Sequence, residues 1–399
     1  MVHLRAVALV TFLAAMVTAS LAQPPFGGRS GRAGRANTVL DSGQLPDLKG
    51  FTAEGEPIEL RQYIKGSYTV LAPGCLTCPI FHRSYREIEA ANADYAPLGV
   101  KFYFVYQSLR HPELGGYVQA QNQQERLLQL AEARQKLQTK TPWLADTIDD
   151  SIRIGLKAQA NSVYLISPEG KLLFAANWLR GAELRAALEK QIGKVPTPTS
   201  PNDLDLPRLA RNRPQNVDSQ TRVKRPDGLV ILKTTPANPF DTYFVKLRAE
   251  ASPELMNTGS GRLFLGFYPD PIHGAFWNNL NDPMKYELQL PEGVAATPIT
   301  ATAQPGPGEK DSQPRQFWVD IESDGPPEDI RLSLHYYACT ATQCVATTHE
   351  YTLSFTPDDR NSRTFGFNRG QRGRGGQRGL GGQRGRGERG EFRRRRPAR

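Results

Sequence analysis

The stretch "SYTVLAPGCLTCPIFHRSYREIEAANADY", residues 67–95, decides how this chain is read. "SYTVLA" has the pattern of a buried strand, and "PIFHRSYREIEAANADY" that of a helix. Cys75 and Cys78 stand where the strand hands over to the helix, and Pro79 follows at once. Backbone N–H groups at a helix N-terminus favour an anion, so a thiolate placed there has a lowered pKa. A second thiol three residues away can resolve a mixed disulfide. A zinc site would need two more ligands at suitable spacing, and the nearest candidate, His82, has no partner. A structural disulfide is the other alternative. Proline is favoured at the first helical position. Pro79 there would put Cys78 at the N-cap, so Cys78 is the expected nucleophile and Cys75 the resolving thiol.

The same alternation continues outward. "VKFYFVYQ" is a second buried strand, and "QNQQERLLQLAEARQKL" a helix with Leu127, Leu130, Ala131 and Leu137 near one face. "SVYLIS" and "KLLFAAN" are strands joined by the turn "PEG", and "GAELRAALEKQI" is a closing helix. Residues 39–193 therefore read as an α/β domain, a mixed sheet flanked by helices. Residues 194–228 open with the proline-rich "KVPTPTSPNDLDLP", a linker of extended character. Residues 229–357 change in kind. Segments such as "TYFVKLRAE", "GRLFLGFYP", "QFWVDIE" and "IRLSLHYY" alternate between Pro/Gly/Asp breaks, the signature of an antiparallel β-sandwich.

The strand–CxxC–helix order, with these elements after it, resembles the thioredoxin fold, and "LPDLKGFTAEGEPIELRQYIKGSYTVLAPGC" is similar to its redoxin branch. Three further stretches resemble the iodothyronine deiodinase family. "GCLTCPIF" is similar to that family's selenocysteine loop, with Cys78 in the selenocysteine place. "FVYQSLRHPELGGY" resembles the strand ending in its active-site histidine, which maps to His111. "TPWLADTIDD" followed by "NSVYLISPEGKLLFAANW" resembles its Pro-Trp-x-x-Asp segment and closing hairpin. The resemblance spans residues 45–192. It implies a thioredoxin-like fold with Cys78, Cys75 and His111 as catalytic residues. An imidazole near a thiolate can hold it ionised or shuttle a proton; the alternative for His111 is a surface position without a role. Trp143 and Asp146 are read as packing and capping residues, and His82 as structural. Cysteine replaces selenocysteine, and Ala160-Asn161 stands where thioredoxin-like proteins carry a cis-proline. Thioredoxins attack through the first cysteine, whereas the deiodinase likeness points to the second.

The second cysteine pair lies in "IRLSLHYYACTATQCVATTHEYTLSF", a hairpin. Leu332, Leu334 and Tyr336 alternate on one arm, and Tyr351, Leu353 and Phe355 on the other. Cys339 and Cys344, in the connection, can reach disulfide distance. They form either a structural bridge or a second redox pair. "HYYACTATQC" resembles the amino-terminal, immunoglobulin-like domain of the transmembrane thiol–disulfide interchange protein, which implies an electron relay through the pair. "DPIHGAFWNN", with His273, is placed at the same end of the sandwich.

The chain has 399 residues and a formal net charge of +10. The charge is not spread evenly. From Arg360 onward fourteen arginines face only Glu388 and Glu391, so this tail holds +12 and the rest of the chain −2. The tail, residues 358–399, repeats Arg-Gly units that build no core and is expected to be disordered. So is the Gly/Arg-rich stretch 23–38. Residues 1–22 read as a secretory signal peptide, with Arg5 ahead of an apolar run and Ser20-Leu21-Ala22 at the cleavage site. The expected location is therefore secreted or periplasmic, where paired cysteines form disulfides.

These features predict an exported thiol–disulfide oxidoreductase that needs no cofactor or metal. Its expected partner is a protein thiol or disulfide, with an anionic envelope surface for the tail and no specific nucleic acid. Two alternatives remain: a deiodinase-like reductive dehalogenase or thiol peroxidase using Cys78, and a non-enzymatic envelope binding protein with structural disulfides.

Overall fold

The computed structural model describes residues 43–110, 117–159, 161–208, 228–325, 327–358 and 360. The expected signal peptide, the Gly/Arg-rich stretch after it, His111 and all of the Arg/Gly tail beyond Arg360 lie outside these residues.

The first lobe is built from β1 (Lys49–Thr52), β2 (Pro57–Glu59), α1 (Leu60–Tyr63), β3 (Thr69–Gly74), α2 (Phe81–Tyr95), β4 (Lys101–Tyr106), α3 (Gln123–Leu137), β5 (Trp143–Asp146), α4 (Ser151–Gly155), β6 (Val163–Ile166), β7 (Leu172–Ala176) and α5 (Gly181–Ile192). Its seven strands lie in the order β2-β1-β5-β4-β3-β6-β7. Strand β3 runs parallel to β4 and antiparallel to β6. This mixed sheet, with helices on both faces, is the thioredoxin-like arrangement that the sequence predicts.

The strand pleat explains the layering. Val70 and Ala72 of β3 point into one core, with Phe81, Tyr85 and Ile88 of α2 and Leu184 and Leu188 of α5. Leu71, one residue out of phase, points into the opposite core with Leu60 of α1 and Ile152 of α4. Helix α2 buries Phe81, Tyr85, Ile88, Ala91 and Tyr95, spaced three to four residues apart along one face. Gly74 ends β3 because a Cβ there would enter the Phe81 ring. That ring has no room to yield. It stands edge-on to Phe104 at 5.3 Å and to Trp143 at 5.7 Å.

The second lobe comprises β8 (Val230–Pro236), β9 (Val245–Ala251), α6 (Pro253–Thr258), β10 (Gly261–Pro269), β11 (Trp277–Asn278), β12 (Lys285–Gln289), β13 (Val294–Thr297), β14 (Thr300–Thr302), β15 (Lys310–Asp311), β16 (Arg315–Ser323), β17 (Ile330–Cys339) and β18 (Cys344–Pro357). Nine of these strands form one antiparallel sheet, β13-β16-β10-β9-β8-β18-β17-β12-β14, and β11 pairs with β15. The sequence predicts a sandwich of two sheets; here one sheet curls. Strand β8 makes the bend, because Val230 and Ile231 pair with β9 while Leu232 to Pro236 pair with β18. The two halves then close on one core. Phe267 of β10 stacks on Tyr286 of β12 with ring centres 6.1 Å apart. The hairpin alternation holds: Leu332, Leu334, Tyr336, Tyr351 and Leu353 are buried in that core, and Phe355 packs at its margin.

The proline-rich connection lies along α2 as far as it is described. The Arg86 guanidinium donates to the carbonyls of Pro201, Leu204 and Leu206, and Tyr85 donates to Pro207. Prolines in such a segment remove N–H donors and regular pairing with them, so its carbonyls need partners from outside. The described residues of both lobes belong to one compact unit, and the lobes meet within it. Lys246 of β9 is fully buried and sits 3.0 Å from Glu125 of α3 and 2.7 Å from Asp270.

Candidate active site: a buried dithiol ahead of a helix

Strand β3 carries Cys75 out of the sheet, and the chain turns through Cys78 into α2. The regular helix starts at Phe81, two residues later than Pro79 predicts. Cys78 nevertheless lies in the turn leading into it. Its carbonyl accepts the His82 N–H at 3.0 Å, and its sulfur faces the Phe81 N–H at 3.5 Å. Neither cysteine is in a disulfide, and both are almost wholly buried.

The two sulfurs differ in their partners. Cys75 Sγ accepts the backbone N–H of Arg110 at 3.2 Å and lies 3.8 Å from the Thr77 hydroxyl. Thr77 in turn donates to the Arg110 carbonyl, so the backbone of one residue is held at both its N–H and its C=O. Burial pushes the Cys75 thiol up, but hydrogen bonds from Cys78, Arg110 and Thr77 outweigh it and bring the pKa down to about 6. Cys78 is held well above its ordinary value, first by its hydrogen bond to Cys75 and then by burial. Both directions favour the charge on Cys75 with Cys78 as the donor, where the sequence expects the charge on Cys78. Proximity to the helix favours Cys78, yet the desolvated Cys78 receives weaker donation than Cys75 does from the chain after β4.

The surrounding side chains fit a single buried thiolate. Tyr106 is pushed far above its usual range by burial and by Cys75, so it stays neutral. The Arg110 guanidinium, lowered by burial and by Arg153, is raised in part by Cys75 and Cys78, which places its charge within reach of the pair. His82 is lowered, mainly by burial, with its ring toward the carbonyls of Cys75 and Leu76. His111 lies outside the described residues. Its neighbour Arg110 and the hydroxyl of Thr77 are the groups that sequence reasoning missed. The spacing C-x-T-C was visible, but nothing in the sequence announced that residue 110 returns to residue 75.

Trp143 and Asp146 take the expected packing and capping roles. Trp143 lies 4.9 Å from Phe104 and donates to Thr139. Asp146 accepts the N–H groups of Ile152 and Arg153 at 2.7 Å each. Burial and neighbouring Asp150 raise Asp146 to about 7. Asp150 is itself buried, but Arg126 and Arg153 hold it down at about 2. Asn161, in the place of the family's cis-proline, accepts from Ser84 on the first turn of α2.

Cys339 and Cys344 face each other at the end of the β17–β18 hairpin and form a disulfide. Cys339 is buried and Cys344 exposed. The Asn281 side-chain amide lies 3.0 Å from Cys344 Sγ, and Phe276 donates its N–H to the Cys339 carbonyl. His273 belongs to the stretch that reaches this end through Phe276 and Asn278. Its ring packs on Phe244 at 5.2 Å and faces Asp270 at the junction of the lobes. Glu125, Asp270 and His273 bring possible metal ligands within 4.8 Å of one another. The Lys246 ammonium already bridges the two carboxylates, so the cluster is a compensated ion network.

No family model and no curated protein matches the chain. Among solved structures it is similar to an uncharacterized conserved protein from Geobacillus kaustophilus, with 18% identity over 39% of this chain and 84% of that one and a TM-score of 0.31. It is also similar to a secreted Mycobacterium tuberculosis disulfide oxidoreductase homologous to E. coli DsbE, with 14% identity over 36% and 96% of the two chains and a TM-score of 0.28. A thiol:disulfide interchange protein from Bacteroides sp. has 18% identity over 38% and 90%, with a TM-score of 0.30. At these values the likenesses add no argument beyond the strand topology itself.

Proposed function

We propose that the protein is a thiol–disulfide oxidoreductase that works through Cys75 and Cys78. The observation that carries this reading is the asymmetry of the pair. Cys75, lowered to about 6, is ionised at neutral pH, and Cys78 keeps its proton. A thiolate is the attacking form, and the best attacking thiol has a pKa near ambient pH. Cys75 attacks one sulfur of a partner disulfide, forming a mixed disulfide and expelling the other sulfur as a thiolate. Cys78 then gives up its proton and attacks Cys75 Sγ. The Cys75–Cys78 disulfide forms, the second partner thiolate leaves, and two electrons pass to the partner. The reverse sequence oxidises a dithiol partner.

The test is a trap. Cys78→Ser should hold a partner disulfide as a stable adduct at Cys75, located by peptide mapping, whereas Cys75→Ser should form none. An adduct at Cys78 in the Cys75→Ser protein alone would restore the order expected from sequence. Halide release or peroxide consumption that depends on Cys78 alone would replace disulfide exchange with a dehalogenase or peroxidase reading.

The exposed position of Cys344 supports a finer reading, in which the Cys339–Cys344 disulfide exchanges electrons with partners. An exposed disulfide sulfur is open to attack, and an amide N–H such as that of Asn281 stabilises a developing thiolate. We also propose export to an oxidising compartment and docking of the arginine-rich tail on anionic surfaces, both supported by sequence alone.

A further inference from the structure

We propose that Gln119 is a positioning residue for the Cys75 sulfur, and that the β lobe tunes the dithiol through it. The inference rests on the dithiol reading above. Gln119 is buried, and its side-chain amide is used in full. Its Oε1 accepts the Leu109 N–H at 2.8 Å, and its Nε2 donates to the Leu109 carbonyl at 2.8 Å. Such a two-point clasp holds Leu109 as a strand partner would. The next residue is Arg110, whose N–H reaches Cys75 Sγ. The Leu109 carbonyl and the Arg110 N–H belong to one peptide group, so the clasp holds the very peptide whose N–H stabilises the thiolate.

The remaining N–H of the Gln119 amide points to the other lobe. It donates to the Arg360 carbonyl at 3.2 Å, and Arg360 returns a bond from Nη1 to the Ala120 carbonyl at 3.3 Å. Arg360 is held by the Asp358 carboxylate, which accepts from Nε and Nη2 at 3.0 Å each. The Asp358 N–H donates to Ile231 of β8. An unbroken series of hydrogen bonds thus runs from the bend of the curled sheet to the Cys75 sulfur. A glutamine can close it because it offers an acceptor and two donors at once.

Loss of the clasp lets the Arg110 N–H drift from Cys75, and hydrogen bonds weaken steeply with distance and angle. The charged and titratable groups that face Cys75 are Cys78, Tyr106, His82 and Arg110. Gln119→Met leaves the identity of all four unchanged, and Arg110 is the one on the clasped segment. The measurement is the pH titration of the Cys75 thiolate, by its ultraviolet absorbance, in the reduced full chain. Gln119→Met should raise the half-point by roughly half to one pH unit, a three- to tenfold loss of thiolate below it. Arg360→Ala should move it the same way by less. If Gln119→Met fails to fold, Arg360→Ala alone decides. Half-points equal to wild type in every variant that folds would overturn the inference. A wild-type protein with no thiolate at neutral pH would instead overturn the dithiol reading itself.

Discussion

The backbone N–H of Arg110 lies 3.2 Å from the sulfur of Cys75, thirty-five residues earlier in the chain. After the hydrogen bond from Cys78, that contact is the next largest influence lowering the Cys75 pKa.

Its pH consequence has a definite sign. The Cys75 pKa is lowered from 9.0 to about 6, so its contribution to the stability of the reduced form is lost as pH falls from about 9 through about 6. Cys78 is raised above 9.0, so its contribution is present below that value and lost above it. The melting temperature of the reduced protein, relative to a Cys75→Ser/Cys78→Ser double variant, should rise between about pH 6 and 9 and fall beyond. A difference that is flat across this range would contradict the charge asymmetry.

Gly74→Ala should disturb the same site through packing. The added methyl enters the Phe81 ring, which Phe104 and Trp143 hold from two sides. Overpacking of this kind costs about 1–3 kcal/mol. Chemical denaturation should show that loss, and the Cys75 half-point should shift because α2 begins at Phe81. An alanine variant as stable as wild type would mean that the aromatic cluster yields easily.

Lys246→Met keeps the side-chain length and removes the charge. Glu125 and Asp270 are then left buried without their cation, which costs about 3–5 kcal/mol at neutral pH. Urea midpoints of variant and wild type at neutral pH provide the check. A variant as stable as wild type would show that the ammonium is not what compensates the two carboxylates.

The tail can be tested without touching the fold if the cut follows Asn361, since Arg360 binds Ala120 and Asp358. The full chain should bind anionic vesicles at low salt and release them within the range where the Debye length falls below about 10 Å. The truncated chain should not bind. Equal binding by both forms would remove the electrostatic role.

Much of the fold was legible because its signals are local. The unbroken β3, the spacing of Phe81, Tyr85 and Ile88, and the alternation through Leu332 to Tyr336 each report burial within a few residues. The cysteine pair could be placed at the strand-to-helix turn for the same reason. The bend at β8 was not legible, because one short strand divides its pairing between β9 and β18 and nothing in "VILKTTP" marks the division.

By itself, the sequence determined the strand–dithiol–helix unit, the faces that α2 and the β17–β18 hairpin bury, and the opposition of Cys339 to Cys344. Those follow from backbone periodicity, which acts over a turn or a pleat. Only the tertiary structure decided which donors meet each sulfur, what the His273 ring packs on, and that Gln119 clasps Leu109 and meets Arg360. The reason is physical. A buried thiolate is stabilised by whichever donors packing brings to it, and here one of them comes from residue 110, beside the Leu109 that Gln119 of the same lobe clasps, and Gln119 in turn meets Arg360 of the other lobe.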